Sequence, residues 1–479
     1  MKVKTRLLCA FVSFTLISAA LMSGCGGSSK KTKLYFDGGG GSGNYTTTSK
    51  YDTLETLAKE WNRNNDEFEV VINKSSLNGN RSAITSMLSA TTAPDTLMQV
   101  GTVVNDDIGN GWYVELNEYL DKPNPYEEGN ERWRDIYGDS AIAYTRASDD
   151  KNYYVCLDNI AVGMIYNMDI LNVAGVSEAP ETYSEFLECL ETLKKAKEQG
   201  KISADIYLPS GLWHESYIGT SVYGDKIREW DADHSGTVST YELIAAYKAG
   251  EWSLGDEHFG EYLRLLGEKS QYYPKNYLAY DVLYKFAKGN LAVTDAVGNT
   301  MNTLASNARF NVEITGYPVL DNAVSEYGGY TVVRGSAGLS SAYWVTNSAI
   351  AKGQAAVDAC VDFLMYLTAS ENNARLVNDL GYALPLDVTK SNVELFSEIK
   401  EQYIEDSADE NAVMWSACFI PDQLGTDFNN YYQLAMGDFY EDSDGVKTGD
   451  AQAVISALNA KIDACVNDII ARYGWTFSE

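Results

Sequence analysis

The regular alternation of short apolar strands with amphipathic helices constrains this chain most. Residues 33–36 read as a strand, which runs into the glycine-rich stretch 37–48. Leu54, Leu57, Ala58 and Trp61 then recur at helical spacing. A strand follows at 69–72, a helix at 82–88 and, after Pro94-Asp95, a strand at 96–100. Strand, helix, strand, helix, strand is the order of an open α/β sheet with mostly parallel strands. The pattern resumes with strand-like runs at 153–155 and 161–166 and a helix at 181–199. That helix sets Tyr183, Phe186, Leu187, Leu190 and Leu193 on one face and ends at Gly200. Strands at 291–294 and 311–314 and helices at 355–367 and 452–470 complete the series. At 479 residues the chain is too long for one core, so two lobes are expected.

The N-terminus fixes the compartment. Lys2, Lys4 and Arg6 precede an apolar run at 7–22, and Ser23-Gly24-Cys25 follows, then a polar stretch to residue 32. A basic head, a short apolar middle and small residues before a cut form a secretory signal. Cysteine directly after Ser-Gly resembles a lipoprotein signal, in which Cys25 would be acylated and become the new N-terminus. Met22 stands where such signals usually have Leu, with Leu21 one step earlier. The alternatives are an ordinary signal peptide or an anchor, but the run is short for a bilayer span. Residues 1–24 are therefore expected to leave, and 25–32 to act as a tether. A lipid on Cys25 would hold the protein outside the cytoplasm at the membrane.

Charge and cysteines agree. The formal charge is −30, and loss of Lys2, Lys4 and Arg6 takes it to −33. Such acidity keeps a secreted protein soluble and repels nucleic acid phosphates. Beyond the leader and Cys25, the cysteines Cys156, Cys189, Cys360, Cys418 and Cys465 are odd in number, scattered and without a C-x-x-C pair.

Five blocks in order now carry a resemblance. The first is Thr53-Leu54-Glu55-Thr56-Leu57-Ala58-Lys59-Glu60-Trp61-Asn62, with the strand Phe68 to Ile72 after it. The second is Met87 to Asp95. The third is Tyr166-Asn167-Met168-Asp169, then Ala174-Gly175-Val176, then Pro180-Glu181-Thr182-Tyr183-Ser184-Glu185-Phe186. The fourth is Phe286-Ala287-Lys288-Gly289-Asn290-Leu291-Ala292-Val293-Thr294. The fifth runs from Ala356 to Leu367 and on through Thr368-Ala369-Ser370-Glu371 to Gly381-Tyr382-Ala383-Leu384-Pro385. The set resembles the family 1 extracellular solute-binding proteins of ABC importers, the large sugar-binding class that includes maltose-binding protein. The resemblance implies two α/β lobes of the class II periplasmic-binding type, joined by hinge crossovers and closing on a carbohydrate. It implies delivery to the permease of an ABC transporter, by a protein expected to be a monomer. The expected first lobe is 33–157 with 312–385, and the expected second is 158–311 with 386–479.

Within the second lobe, 225–250 fits an EF-hand. Asp231, Asp233 and Ser235 offer side-chain oxygens and Gly236 permits the turn. Thr237 offers its carbonyl, Ser239 a hydroxyl or a bridging water, and Glu242 two carboxylate oxygens. Calcium wants many hard oxygens on a sharp turn, which this spacing supplies. The alternative is a solvated acidic turn. A lone hand suggests a structural clip.

Sugars present hydroxyls to polar side chains and C–H faces to rings. Candidates come from strand-to-helix loops at positions where the family binds its ligand. Asp37, Asn44 and Tyr45 lie in the first loop, which is otherwise a flexible glycine turn. Asn105 lies in the loop 101–106 after the third strand. Asp158 and Asn159 lie at the crossover, where the alternative is a carboxylate that stabilises the hinge. Trp213 is the stacking candidate, unless it packs inside the lobe. Asn299 stands where the family usually has an aromatic ring, which weighs against a maltose-like ligand. Tyr330 and Trp415 come from loops expected to face the cleft.

Catalysis is not expected. The chain has three histidines, no Gly-x-Ser-x-Gly elbow and no His-Glu-x-x-His pair. Among 67 acidic residues no pair is singled out for glycoside hydrolysis. The alternatives kept open are a binder of a non-sugar solute, such as a peptide or polyamine, and a calcium-dependent secreted glycan hydrolase or lyase.

Overall fold

The computed structural model buries the central strands of the first sheet on both faces. It describes residues 31–39, 48–74, 80–147, 149–234, 238–415, 420–441 and 447–477. The strands are β1 (Thr32–Asp37), β2 (Phe68–Asn73), β3 (Thr96–Met98), β4 (Tyr154–Asn167), β5 (Asp205–Tyr207), β6 (Leu291–Val297), β7 (Val312–Thr315) and β8 (Ser336–Val345). Their order is β2-β1-β3-β8-β4-β6-β5, with β7 also on β4. Alternate residues of β4 and β8 show the two-sided burial. Val155, Leu157, Tyr343 and Val345 join one core of the first lobe, while Tyr154, Cys156, Ala342 and Trp344 join the other.

The helices used below are α1 (Thr48–Arg63), α2 (Arg81–Ser89), α3 (Tyr183–Glu198), α4 (Trp213–Val222), α5 (Gly224–Trp230), α6 (Thr240–Ala249), α7 (Glu257–Ser270), α8 (Gly298–Asn307), α9 (Gln354–Thr368) and α10 (Ser397–Ser407). On α1, Leu54, Leu57, Ala58 and Trp61 are all buried, as their spacing requires. α3 begins in a capping box: Thr182 accepts from Glu185 N–H, and the Glu185 carboxylate returns to the Thr182 N–H.

One strand serves both lobes. The 14 residues of β4 extend on the order of 45 Å. Tyr154 to Ala161 pair with β8, and Val162 to Asn167 pair with β6 and β7. The runs expected at 153–155 and 161–166 are thus one element. Asp158 and Asn159 interrupt the apolar pattern but keep their backbone in the ladder. The return path also differs from expectation. Residues 312–315 form β7 on the second-lobe half of β4, and Tyr317, Leu320 and Val332 sit in the second-lobe core. The chain re-enters the first sheet with β8 at Ser336, not at residue 312. A third pass is made at Leu384, whose N–H and carbonyl both bond Asn159.

Register sets where the strand ends point. β3 is antiparallel to β8, with Thr96 opposite Val345 and Met98 opposite Tyr343. Its carboxyl end therefore points toward Ser336 and the second lobe, and β1 and β2 run the same way. β6 is antiparallel to β4, with Val293 opposite Tyr166 and Val297 opposite Val162. Its carboxyl end, and that of the parallel β5, point toward the first lobe. Five carboxyl ends thus converge on residues 158–162 of β4.

Candidate functional site: the inter-lobe convergence

Open α/β sheets bind ligands beyond the carboxyl ends of their strands, so this convergence is the candidate solute site. Its floor is the hinge. The Asp158 carboxylate is buried and accepts from the Ser341 hydroxyl across the strands at 2.7 Å. Asn159 donates its side-chain N–H to the Pro385 carbonyl at 2.9 Å. Both side chains, expected as ligand contacts, tie the crossovers together. Beside them Gly298 opens α8: a Cβ there would lie 2.0 Å from the Tyr382 carbonyl oxygen and 3.2 Å from Ala161 Cβ. Asn299 follows, half-buried, with Oδ1 accepting from the Thr300 N–H at 2.7 Å.

From the second lobe comes Trp213, the first residue of α4, just beyond the end of β5. The residue is 36% exposed, and its ring meets that of Trp415 edge-on, with centres 6.0 Å apart. Trp415 is only 2% exposed: its ring also meets Tyr317 and Tyr217, and its indole N–H reaches Ser216 Oγ at 3.2 Å. It departs from the expectation of a cleft-facing ring and backs Trp213 instead. Tyr330 lies elsewhere, half-buried over Gly224 at the start of α5.

The first lobe contributes the end of β1. The Asp37 carboxylate is buried, accepting from Gly39 N–H at 3.1 Å and Met98 N–H at 3.3 Å, so it closes the turn rather than facing solvent. Asn44 and Tyr45 lie outside the described residues. Asn105 falls in a helical turn, Val104–Asp107, not in the expected loop. Sequence reasoning missed a network at the end of β3, in which Gln99, Asp107 and Tyr113 are buried and Arg81 is part-exposed. Arg81 donates to Gln99 Oε1 at 3.0 Å and Asp107 Oδ2 at 2.8 Å, and Tyr113 donates to Asp107 Oδ2 at 2.9 Å. Burial and the Asp107 charge push the Tyr113 hydroxyl up, so it stays a donor. The legible signal was Gln99, a polar residue inside the strand expected at 96–100. Two surface hollows lie away from the convergence, one beside Thr56, Glu371 and Arg375 and one beside Asp169, Lys201 and Phe310. Register and burial locate the site; those hollows do not.

The acidic loop forms a second locus. α5 enters it and α6 leaves it, with His234 at φ 57°. Asp231, Asp233 and Glu242 each offer a carboxylate oxygen within 4.8 Å of the others. Ser235 and Thr237 lie outside the described residues. Glu242 accepts from Ala232 N–H at 2.8 Å, and its other oxygen accepts from the Ser239 hydroxyl at 2.8 Å. Asp233 also meets Arg146 of the first lobe at 2.9 Å. An all-oxygen set of this kind suits a hard divalent cation. No helix among the described residues is long and apolar enough to cross a membrane, and Cys25 lies outside them.

Comparison with solved structures places the fold. The sugar-binding protein MalE from the phytopathogen Xanthomonas citri matches with TM-score 0.63 at 15% identity, over 93% of this chain and 100% of that one. The maltose-binding periplasmic protein MalE from Listeria monocytogenes, in complex with maltose, matches with TM-score 0.61 at 17% identity, over 93% and 99%. RafE from Streptococcus pneumoniae matches with TM-score 0.61 at 15% identity, over 92% and 99%. Comparison with curated protein sequences finds no match. Residues 56–401 match the family model for bacterial extracellular solute-binding proteins. The chain belongs to that family of bacterial extracellular solute-binding proteins.

Proposed function

We propose that this protein is an extracytoplasmic receptor, held at the membrane by a lipid on Cys25, that captures an oligosaccharide by lobe closure. It then presents the sugar to the permease subunits of an ABC transporter. The observation that carries the reading is Trp213, a part-exposed ring on a buried aromatic backing at the converging strand ends. Such a ring suits the C–H face of a sugar, and a half-dry cleft strengthens each hydrogen bond made there. Structural neighbours include proteins named for maltose, and RafE is described in complex with raffinose. Closure follows because only the closed form brings both lobes to the solute.

The acidic loop is read as a calcium clip. Asp231, Asp233, Ser239 and Glu242, with Ser235 and Thr237, would hold the ion and pin α5 to α6. The fit rests on the carboxylate convergence and the twelve-residue spacing.

A thermal-shift screen of mono- and oligosaccharides, peptides and polyamines tests the reading. At least one sugar is expected to raise the melting temperature. Trp213→Ala is expected to weaken that sugar roughly tenfold or more. A response confined to polyamines, which the net charge of −30 would attract, moves the assignment to a non-sugar solute. Cleavage products after incubation with glycans would make the chain an enzyme.

A further inference from the structure

Beneath the Trp213 loop the second lobe buries more polar atoms than its own contacts satisfy. Lys269 of α7 is fully enclosed, and its Nζ has no hydrogen-bond partner among the described residues. Asp295 of β6 is equally enclosed. Its Oδ1 accepts from the Tyr207 hydroxyl at 3.1 Å and the Ser210 N–H at 3.2 Å, while Oδ2 has no partner. His214 Nε2 and the hydroxyls of Tyr273 and Tyr317 are also buried and unpartnered. These groups share one shell around Tyr207. Its hydroxyl lies 3.4 Å from His214 Nδ1, and its ring centre 5.7 Å from Lys269 Nζ and 5.5 Å from the Tyr273 ring. His214 stacks face to face on Tyr317 at 4.9 Å. Glu215 is nearby but satisfied, accepting from the Tyr440 hydroxyl at 2.6 Å.

A buried polar group without a partner is destabilising, and a buried unpaired ion more so. The shell mixes donors, Lys269 and the tyrosines, with acceptors, Asp295 and a neutral His214. Burial and the Lys269 charge push His214 well below its ordinary range, which keeps it neutral. A cation in the shell would meet Lys269, and an anion would meet Asp295 and Glu215. The molecule that both donates and accepts, and is small enough to be sealed in, is water. We propose that Lys269, Asp295, His214, Tyr273 and Tyr317 enclose a sealed water-binding site, and that this hydrated set positions the loop 208–213 beneath Trp213. Two contacts link shell and loop: Asp295 Oδ1 holds the Ser210 N–H, and Thr294 Oγ donates to the Leu208 carbonyl at 2.7 Å. The consequence for the solute rests on the Trp213 reading above; the hydration does not.

A crystal structure of the mature chain that shows ordered water is the first test. Water within hydrogen-bond distance of both Lys269 Nζ and Asp295 Oδ2 is expected. A direct ion pair from Lys269 to Asp295 or Glu215, or a gap without density, overturns the site. The second test is amide hydrogen exchange in Lys269→Met, Asp295→Asn and the double variant. Either single change is expected to speed exchange in 208–213 about tenfold, leaving β4 unchanged, with the double variant closer to the parent because neither Lys269 nor Asp295 is then left without the other. Unchanged exchange in 208–213, or an equal rise across the lobe, overturns the positioning role. If the waters are present and Trp213→Ala leaves sugar affinity intact, only the solute reading falls.

Discussion

Arg334 stands one residue before the glycine that leads into β8, and Asp406 of α10 holds it there. Arg334 Nε and Nη2 each donate to an Asp406 oxygen at 2.8 Å, and the Arg334 N–H adds a third bond at 2.9 Å. Both side chains are largely buried, at 10% and 6% exposure. Asp406→Ala strands the guanidinium and should cost about 3–5 kcal/mol in urea unfolding. A loss under about 1 kcal/mol would mean the pair is solvated and does not fix the crossover. The thiols give a second check. Burial pushes Cys189 and Cys360 up to about 12. At pH 8 roughly one thiol in ten thousand of these would be ionised, so neither should react with a disulfide reagent until the protein unfolds. The half-buried Cys465 should label first among the described cysteines. At this scale the sequence was only partly legible. Trp213 could be picked because it follows a strand in a loop, but Asp158 and Trp415 could not be judged. Whether a carboxylate faces solute or is taken up by Ser341, and whether a ring stacks or backs another, depends on packing between segments 183 and about 200 residues apart.

Elements were more legible, because periodicity is local. The expected strands at 33–36, 69–72 and 291–294 and the helices at 82–88 and 355–367 all lie inside observed elements. β8 escaped notice: four of its first six residues are Gly or Ser, a weak strand signal, and its pairing with both β3 and β4 supplies the missing preference. Close approach of elements makes Gly298 testable. Gly298→Ala places a methyl on the Tyr382 carbonyl and should cost on the order of 1–3 kcal/mol through a shifted crossover. A variant as stable as the parent would show that the crossover has slack. The α5–loop–α6 unit makes a prediction about metal. Calcium at about one hundred times its dissociation constant should stabilise the chain by about 2.7 kcal/mol, and a chelator should remove that gain. Glu242→Gln should abolish terbium luminescence at the loop. Arg146→Ala should tighten terbium binding a few-fold, because Arg146 competes for Asp233. A chelator without effect on unfolding would leave Glu242 as a helix cap only.

The whole molecule follows from one strand shared by two sheets. Length and alternation predicted two α/β lobes, and the ordered blocks predicted their family. The crossover at Ser336 was beyond reach, since residues 311–314 read as a strand without saying which sheet they join. Register then does what composition cannot: it aims the carboxyl ends of β1, β2, β3, β5 and β6 at the same stretch of β4. The crossovers there are held by Asp158 to Ser341 and by Asn159 to Pro385. Small-angle X-ray scattering of the mature chain, alone and with saturating members of an oligosaccharide panel that includes maltose and raffinose, tests lobe closure on a sugar most directly. At least one sugar is expected to lower the radius of gyration in a saturable way. A radius unchanged by every sugar, with a decrease produced by a peptide or polyamine, would contradict it.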